Sequence, residues 1–367
     1  MKVLHILNMN KLSGAEKLVL EICKNMREYE SVVICGGDDL RRLFNKNNIN
    51  AYSINFNEVG LKKSVNEIKK IIISEKINII HAHDNHASLK AFLVKKIYKL
   101  DVKVISHIHN CYPWLVGKNK MKLIDSIIRR GYDYNIACGK LVYDFYTQNT
   151  RYVNEKNTAI LSNSIDVGEI SKIDNRNMHY VYEEFNIPKD KTILGFIGRL
   201  SEQKGIVPFV KEVAKNKEKF VNSKILLVGN GDQENEVREI IKSNNMEDLF
   251  ILTGYQDNVY KFYPIIDVFF LPSLYEGLPM VILEAMAFKK PVVSMNVGSI
   301  DEVVINNHNG YLINKENYDE FINKLDILKE DSKLQLMYGS NAYNHVLNNY
   351  DIKHYIDELI KIYSKVS

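Results

Sequence analysis

Short apolar runs alternate with amphipathic stretches along nearly the whole chain, and the alternation occurs twice. VLHIL, SVVIC, INIIHAH, VKVISHI, YNIAC and TAIL have the length and β-branched content of buried strands. Between them, stretches such as AEKLVLEICKNM and SVNEIKKIIISEK carry apolar residues at helical spacing. Continuous apolar strands separated by helices predict a parallel sheet covered on both faces. After a polar stretch from about Ile165 to Lys191 the pattern restarts with TILGFIGR, SKILLVGNG, LFILTGY, VFFLPS, PVVSMNV and GYLIN. The expected class is α/β, with two doubly wound Rossmann-like domains at 1–168 and 191–346, a linker at 169–190, and a cleft between the domains. Residues 347–367, within the helical segment AYNHVLNNYDIKHYIDELIKIYSKV, are expected to return to the first domain. A length of 367 residues agrees, since single hydrophobic cores stop growing near roughly 250–300 residues.

Bulk composition excludes several classes. Apolar residues at 46% and charged residues at 26% describe a globular enzyme and not a disordered chain. No window approaches a membrane span, and MKVLHILNM is too short and polar for a secretion signal, so a cytoplasmic protein is expected. Cys23, Cys35, Cys111 and Cys138 stand apart without a C-x-x-C pair, which argues against both a zinc ribbon and a disulfide framework.

Net charge is only +4, yet residues 88–130 hold ten cations (Lys90, Lys95, Lys96, Lys99, Lys103, Lys118, Lys120, Lys122, Arg129, Arg130) against Asp101 and Asp125. That segment reads either as a solvated surface or as a docking face for an anionic membrane, with KAFLVKKIYKL alternating apolar and basic residues as an interfacial helix would. No nucleic-acid module accompanies the charge, so nucleic acid is not an expected partner.

Ligands of open α/β sheets bind beyond the carboxyl ends of the strands, so the residues that follow each strand are the candidates. GRLSEQKG places Arg199 and Lys204 in a loop entering a helix, where two cations suit a diphosphate, or are simply surface charges beside a turn. VGNGD holds Asn230 between Gly229 and Gly231, a weak glycine signal that a plain turn also explains. TGYQDNV offers Tyr255 and Gln256, whose backbone could meet a base. In PSLYEGLPM, Pro279 suits the first position of a helix, so the amides of Gly277, Leu278 and Met280 lie at a helix N-terminus, a natural anion site. Apolar residues run nearly all round MVILEAMAF, yet Glu284 sits inside it. A buried carboxylate must be hydrogen-bonded or paired, which leaves a lysine salt bridge or the ribose hydroxyls of a nucleotide as its partner.

Taken together, Arg199, Leu200, Lys204, Gly205, Glu276, Gly277, Leu283, Glu284 and Ala285 resemble the motifs of the retaining glycosyltransferases of family four, which have the GT-B fold. NKLSGAEKLVL resembles that family's glycine loop, with Ser13 in place of the first glycine and Gly14 as the matching position. IIHAHDNHASLKAFLVKK and VKVISHIHN look like the members that build surface and capsular polysaccharides.

The resemblance implies a nucleotide-diphosphate-sugar substrate, no cofactor, and a glycan, lipid-linked or protein acceptor. It implies that Arg199 and Lys204 contact the diphosphate and that Glu284 contacts ribose. Glu276 would lie close to the transferred sugar, and Gly277, Leu278, Pro279 and Met280 would frame phosphate and sugar. His109 is matched to the family's histidine at the cleft, with His107 as the alternative, and Asn163 to its strand-end asparagine. The acceptor is expected near HNCYPWLVGKN, with Asn110, Tyr112 and Trp114 beside His107.

No Asp-x-Asp occurs in the sequence, so no essential divalent ion is expected. His81, His83 and His86 read as structural or surface residues, with a metal cluster as the alternative. The competing functions are a catalytically silent partner of another glycosyltransferase and a different enzyme of the same fold, such as an epimerase or a phosphorylase.

Overall fold

A computed structural model describes residues 1–109, 111–117, 120–173 and 178–367. The chain divides into two compact units, Met1–Ile165 with Ile352–Ser367, and Asp166–Asp351.

The first unit holds β1 (Lys2–Ile6), β2 (Glu30–Cys35), β3 (Asn50–Ser53), β4 (Ile79–His83), β5 (Lys103–Ile108), β6 (Tyr134–Ala137) and β7 (Thr158–Ile160). They form a parallel sheet in the order β3-β2-β1-β4-β5-β6-β7. One strand, β3, has no counterpart among the apolar runs of the sequence. Its residues NAYS occupy a sheet edge where only Ala51 is buried, so no apolar run is needed.

The second unit holds β8 (Thr192–Ile197), β9 (Ser223–Val228), β10 (Phe250–Gly254), β11 (Val268–Leu271), β12 (Val292–Met295) and β13 (Gly310–Ile313). Their order is β10-β9-β8-β11-β12-β13, also all parallel. The order reverses direction between β1 and β4 in one sheet and between β8 and β11 in the other. These are the switch points where a doubly wound sheet opens to ligands.

Residues written as a linker belong to the second unit. They form the short helices Val167–Ser171 and His179–Glu184 on either side of residues 174–177, and Val167, Ile170, Val181 and Ile187 are buried. The C-terminal helix Ile352–Val366 belongs to the first unit. Its Ile352, Tyr355, Ile356, Leu359 and Tyr363 pack with Leu18 and Ile22 of the helix Gly14–Asn25 and with Val3, Ile79 and Ile105 of the sheet. The chain therefore supplies one covering helix of the first sheet from its far end.

That packing predicts the effect of truncation. Leu359→Ala should cost about 2–5 kcal/mol, the usual range for emptying a fully buried leucine site. The loss should appear as weaker hydrogen-exchange protection of the β1 and β4 amides, and unchanged protection there would show that the helix is not part of this core.

Candidate active site

In the second unit the loops after β8, β9, β11 and β12 are held against one another by backbone. Gly205, at φ +64°, turns the chain from the short helix Glu202–Lys204 into the helix Ile206–Lys215, and a Cβ there would meet Pro272 O at 2.1 Å. Gly229 and Gly231 lie flat on the preceding loop, where added Cβ atoms would come within 2.0 Å of Gly198 O and 2.1 Å of Leu200 O. The glycine pair is thus more than a plain turn: it lets the β9 loop close onto the loop that carries Arg199. Ser299 N donates to Gly277 O at 2.9 Å, and Leu274 N to Gln203 O at 2.8 Å, which ties the Glu276 loop to both neighbours.

This stitching brings Lys204 and Glu276 together. Lys204 Nζ lies 2.6 Å from Glu276 Oε1, and Ser273 Oγ donates to the same oxygen at 2.7 Å. Their side chains are only 17% and 7% exposed, so the pair is largely shielded from solvent screening. Arg199 is placed differently. It is exposed, and its Nη2 stands 3.8 Å from Asp232 Oδ1, itself exposed, a contact that restrains it little.

Glu284 is fully buried in the helix Met280–Ala287. Tyr263 Oη donates to its Oε2 at 2.6 Å and Tyr260 Oη to its Oε1 at 3.3 Å. Burial, reinforced by the adjacent carboxylate, pushes the Tyr263 hydroxyl well above its usual range, so it stays a donor. The lysine that the sequence reading offered as a partner is replaced in these contacts by two phenols from the 3-10 turns Val259–Lys261 and Tyr263–Ile265. YKFYP carried no sign of this, because nothing in a strand-to-helix pattern says which side chain of a tight turn faces the next helix.

Pro279 is the N-cap, not the first helical residue, with φ −75° and ψ 123°, so the helix starts one residue later at Met280. Leu278 and Met280 are buried beside it and Gly277 is half-buried. Asn230 and Tyr255 are exposed, while Gln256 donates to Thr253 O at 3.0 Å.

In the first unit Gly14 begins the helix Gly14–Asn25 behind the N-cap Ser13, whose hydroxyl donates to the Glu16 carboxylate. Burial pushes the Glu16 carboxyl up. Register explains the histidines. His5 pairs with His81 across β1 and β4, and His83 with His107 across β4 and β5. Alternation then puts His5, His81, His83, His107 and His109 on one face of the sheet. His86, grouped with His81 and His83 in the sequence reading, is exposed on the following helix. His107 is fully buried and His109 half-buried. Burial lowers His109 to about 4 and His5 to about 3 and holds the other three well down, so all five are neutral at physiological pH.

Asp84, immediately after His83, stands at φ 80° and ψ 170°, a region nearly reserved for glycine that costs on the order of 1–3 kcal/mol. Its carboxylate accepts from Ala87 N and from Asn8 Nδ2, both at 2.8 Å, and Lys90 Nζ donates to Asn8 Oδ1 at 2.9 Å. Tyr112 and Trp114 are half-buried with ring centroids 5.5 Å apart, Asn163 is buried beyond β7, and Asn110 lies outside the described residues.

The basic segment is not one surface. Lys90 is buried in the network just described, and Arg129 is buried with Asp125, Ser106, Asn135 and Asn85 around its guanidinium. Lys95 pairs with Asp133 at 2.6 Å, and Lys118 lies outside the described residues. The helix Asn85–Tyr98, which contains KAFLVKKIY, buries Ala87, Ala91 and Val94 and is a covering helix of the sheet, not an interfacial one. Among the described residues no helix is long and apolar enough to cross a membrane.

Two parallel sheets with donor-rich strand ends define a GT-B protein, and comparison with known proteins agrees. Residues 12–169 match the model described as Glycosyltransferase Family 4, and residues 182–345 the model described as Glycosyl transferases group 1. The chain belongs to the family-4 glycosyltransferases of the GT-B fold. It is 22% identical to UDP-Gal:alpha-D-GlcNAc-diphosphoundecaprenol alpha-1,3-galactosyltransferase of Escherichia coli, covering 99% of this chain and 96% of that one. It is 25% identical over 80% of its length to N-acetyl-alpha-D-glucosaminyl L-malate synthase of Bacillus anthracis, of which 76% is covered. Among solved structures, Anabaena HepE in complex with UDP and glucose superposes with a TM-score of 0.87 over the whole of both chains at 20% identity.

Removal of the closer phenol tests the Glu284 site. Tyr263→Phe takes a donor from a carboxylate that has no access to water, and should cost about 1–3 kcal/mol. Urea unfolding that matches the unmodified protein would mean the carboxylate is satisfied without it.

Proposed function

We propose that this chain transfers a sugar, with retention of configuration, from a nucleoside-diphosphate sugar to a glycan or lipid-linked acceptor in polysaccharide or glycoconjugate synthesis. The observation that carries the reading is the shielded Lys204–Glu276 pair between strand-end loops, with Glu276 shortly before the helix that begins at Met280. The printed names of relatives support the substrate class: one is a UDP-Gal galactosyltransferase acting on a diphosphoundecaprenol, and HepE is seen with UDP and with UDP-glucose.

Departure of the nucleoside diphosphate builds negative charge on phosphate and positive charge on the sugar. Fixed donors aimed at that phosphate are the largest available catalytic contribution. Lys204 and the first-turn amides of the helix Met280–Ala287 are such donors, and exposed Arg199 can swing onto the same phosphates because Asp232 restrains it weakly. These cations take the part a metal would otherwise play, so turnover needs no divalent ion. Lys204 is paired with Glu276. An arriving diphosphate competes for the ammonium and frees the carboxylate to accept from a sugar hydroxyl. Glu284, buried here, accepts from the ribose hydroxyls once Tyr260, whose 3.3 Å contact is the weaker, gives way. His109 is the first unit's candidate for contact with the sugar.

Two features suit the acceptor side. A cavity of about 690 Å3 at the carboxyl ends of β1, β2 and β3 is lined by Asn8, Asn10, Ser53, Asn55, Asn57 and Glu58, among others, a set of amides and oxygens that suits a polyhydroxylated molecule. The helix Lys120–Arg129 exposes Met121, Leu123, Ile124 and Ile127, close in sequence to exposed Val116, Lys120 and Arg130. Exposed apolar residues flanked by cations fit an anionic lipid surface, which we assign as the docking partner of this helix.

Released nucleoside diphosphate, followed across a panel of donors with and without acceptor, tests the activity, and the anomeric configuration of the product tests retention. Glu276→Ala should lower turnover by about 10²-fold or more while nucleoside diphosphate affinity holds or rises, because Lys204 is unmasked. Lys204→Ala should instead weaken that affinity. Loss of nucleotide binding in Glu276→Ala, or activity that EDTA abolishes and manganese restores, would refute the assignment. For the lipid surface, flotation with anionic vesicles at low salt should be reduced by Leu123→Asp and by Ile127→Asp. Equal flotation with neutral vesicles, or none, would remove it.

A further inference from the structure

His5, His83 and His109 form a hydrogen-bonded chain within the first unit. His83 uses both ring nitrogens, Nε2 facing His5 Nδ1 at 3.1 Å and Nδ1 facing His109 Nε2 at 3.4 Å. His81 is drawn aside by Tyr363 Oη of the C-terminal helix, 2.7 Å from its Nδ1. A neutral imidazole has one N–H and one lone pair, so fixing the proton on one ring fixes it along the whole chain.

Only two arrangements exist. If protons point inward, His109 Nε2–H donates to His83, His83 Nε2–H donates to His5, and His5 is left with its own N–H on Nε2. That nitrogen is buried without a partner among the described residues. If protons point outward, His5 Nδ1–H donates to His83, His83 Nδ1–H donates to His109, and only a lone pair is stranded at His5 Nε2. A stranded buried N–H is the rarer and costlier defect, so the outward arrangement wins. His109 then accepts at Nε2 and carries its proton on Nδ1, which has no hydrogen bond among the described residues.

We propose that His83 is a positioning residue which, anchored by His5, holds His109 as the Nδ1–H tautomer and thereby presents a hydrogen-bond donor to substrate. The functional part rests on the reading above that His109 contacts the sugar, whereas the tautomer itself does not. The low pKa values agree with a chain that stays neutral.

A metal ion is the competing use of these rings. The trios His5, His81, His83 and His83, His107, His109 each bring three ring nitrogens within 4.8 Å of one another. Both trios include His83, whose two ring nitrogens face His5 and His109, so a bound ion and the hydrogen-bonded chain are alternatives that zinc content distinguishes.

The test is long-range 1H–15N correlation on the full chain labelled with 15N-histidine, without substrate, the His109 signals being identified from His109→Asn. In the unmodified protein Nδ1 should be protonated and Nε2 bare. His83→Asn, whose amide can donate from the position of the lost Nδ1, should keep that pattern, whereas His83→Leu should give a mixture or the Nε2–H form. His5→Leu removes the anchor without touching His83 and should also give a mixture, so a poorly folding His83→Leu does not leave the question open. Nε2–H in the unmodified protein, indifference to His83→Leu and His5→Leu, or one equivalent of tightly held zinc would overturn the proposal. In turnover, His83→Leu should lose about tenfold in kcat with donor KM nearly unchanged, and His83→Asn should recover most of it. A shifted tautomer with unchanged kcat would count against the role of His109, not against its positioning.

Discussion

A strand buried on both faces can present polar chemistry only where it ends. Both sheets here are all parallel and covered by helices, so every crossover returns the chain to the same edge and the carboxyl ends gather on one side. In the second unit this gathers the Arg199 loop, the glycines after β9, the Glu276 loop and Ser299 after β12. Backbone contact between these loops, made close by Gly205, Gly229 and Gly231, sets Lys204 against Glu276 to within hydrogen-bond distance.

Charge inside such a frame must be answered locally. Glu276 is answered by Lys204 and Ser273, and Glu284 by Tyr263 and Tyr260. The two carboxylates therefore differ in the partners seen here: Glu276 faces a cation, whereas the two phenols that donate to Glu284 are neutral. Arg129 shows the opposite use of the same rule: within a segment that reads as surface charge, its guanidinium is spent on Asp125 and neighbouring polar groups inside the fold.

The architecture was legible because strands covered on both faces are mostly apolar, and twelve of the thirteen strands among the described residues announce themselves as apolar runs. The exception, β3, lies at an edge where burial demands little. Arg199, Lys204 and Glu276 stand out in the sequence as charged residues in strand-end loops, and Glu284 as a carboxylate inside an otherwise apolar helix. Tyr260, Tyr263 and Ser273 did not stand out, since a tyrosine or serine in a turn is ordinary until its distance to a carboxylate is known. Within the basic segment the sequence counts the charges but does not say that Lys90 and Arg129 turn inward.

The sequence by itself determined the two sheets, the order of their loops and the identity of the polar residues at the strand ends, because periodicity and turn chemistry act over a few neighbouring residues. Tertiary structure alone decided the partners. The pairing of His5 with His81 and of His83 with His107 depends on register between residues 76 and 24 positions apart, and Tyr363 reaches His81 from the far end of the chain. Hydrogen bonds and ion pairs are decided by distances of a few tenths of an ångström, and those distances exist only once helices and sheets have packed.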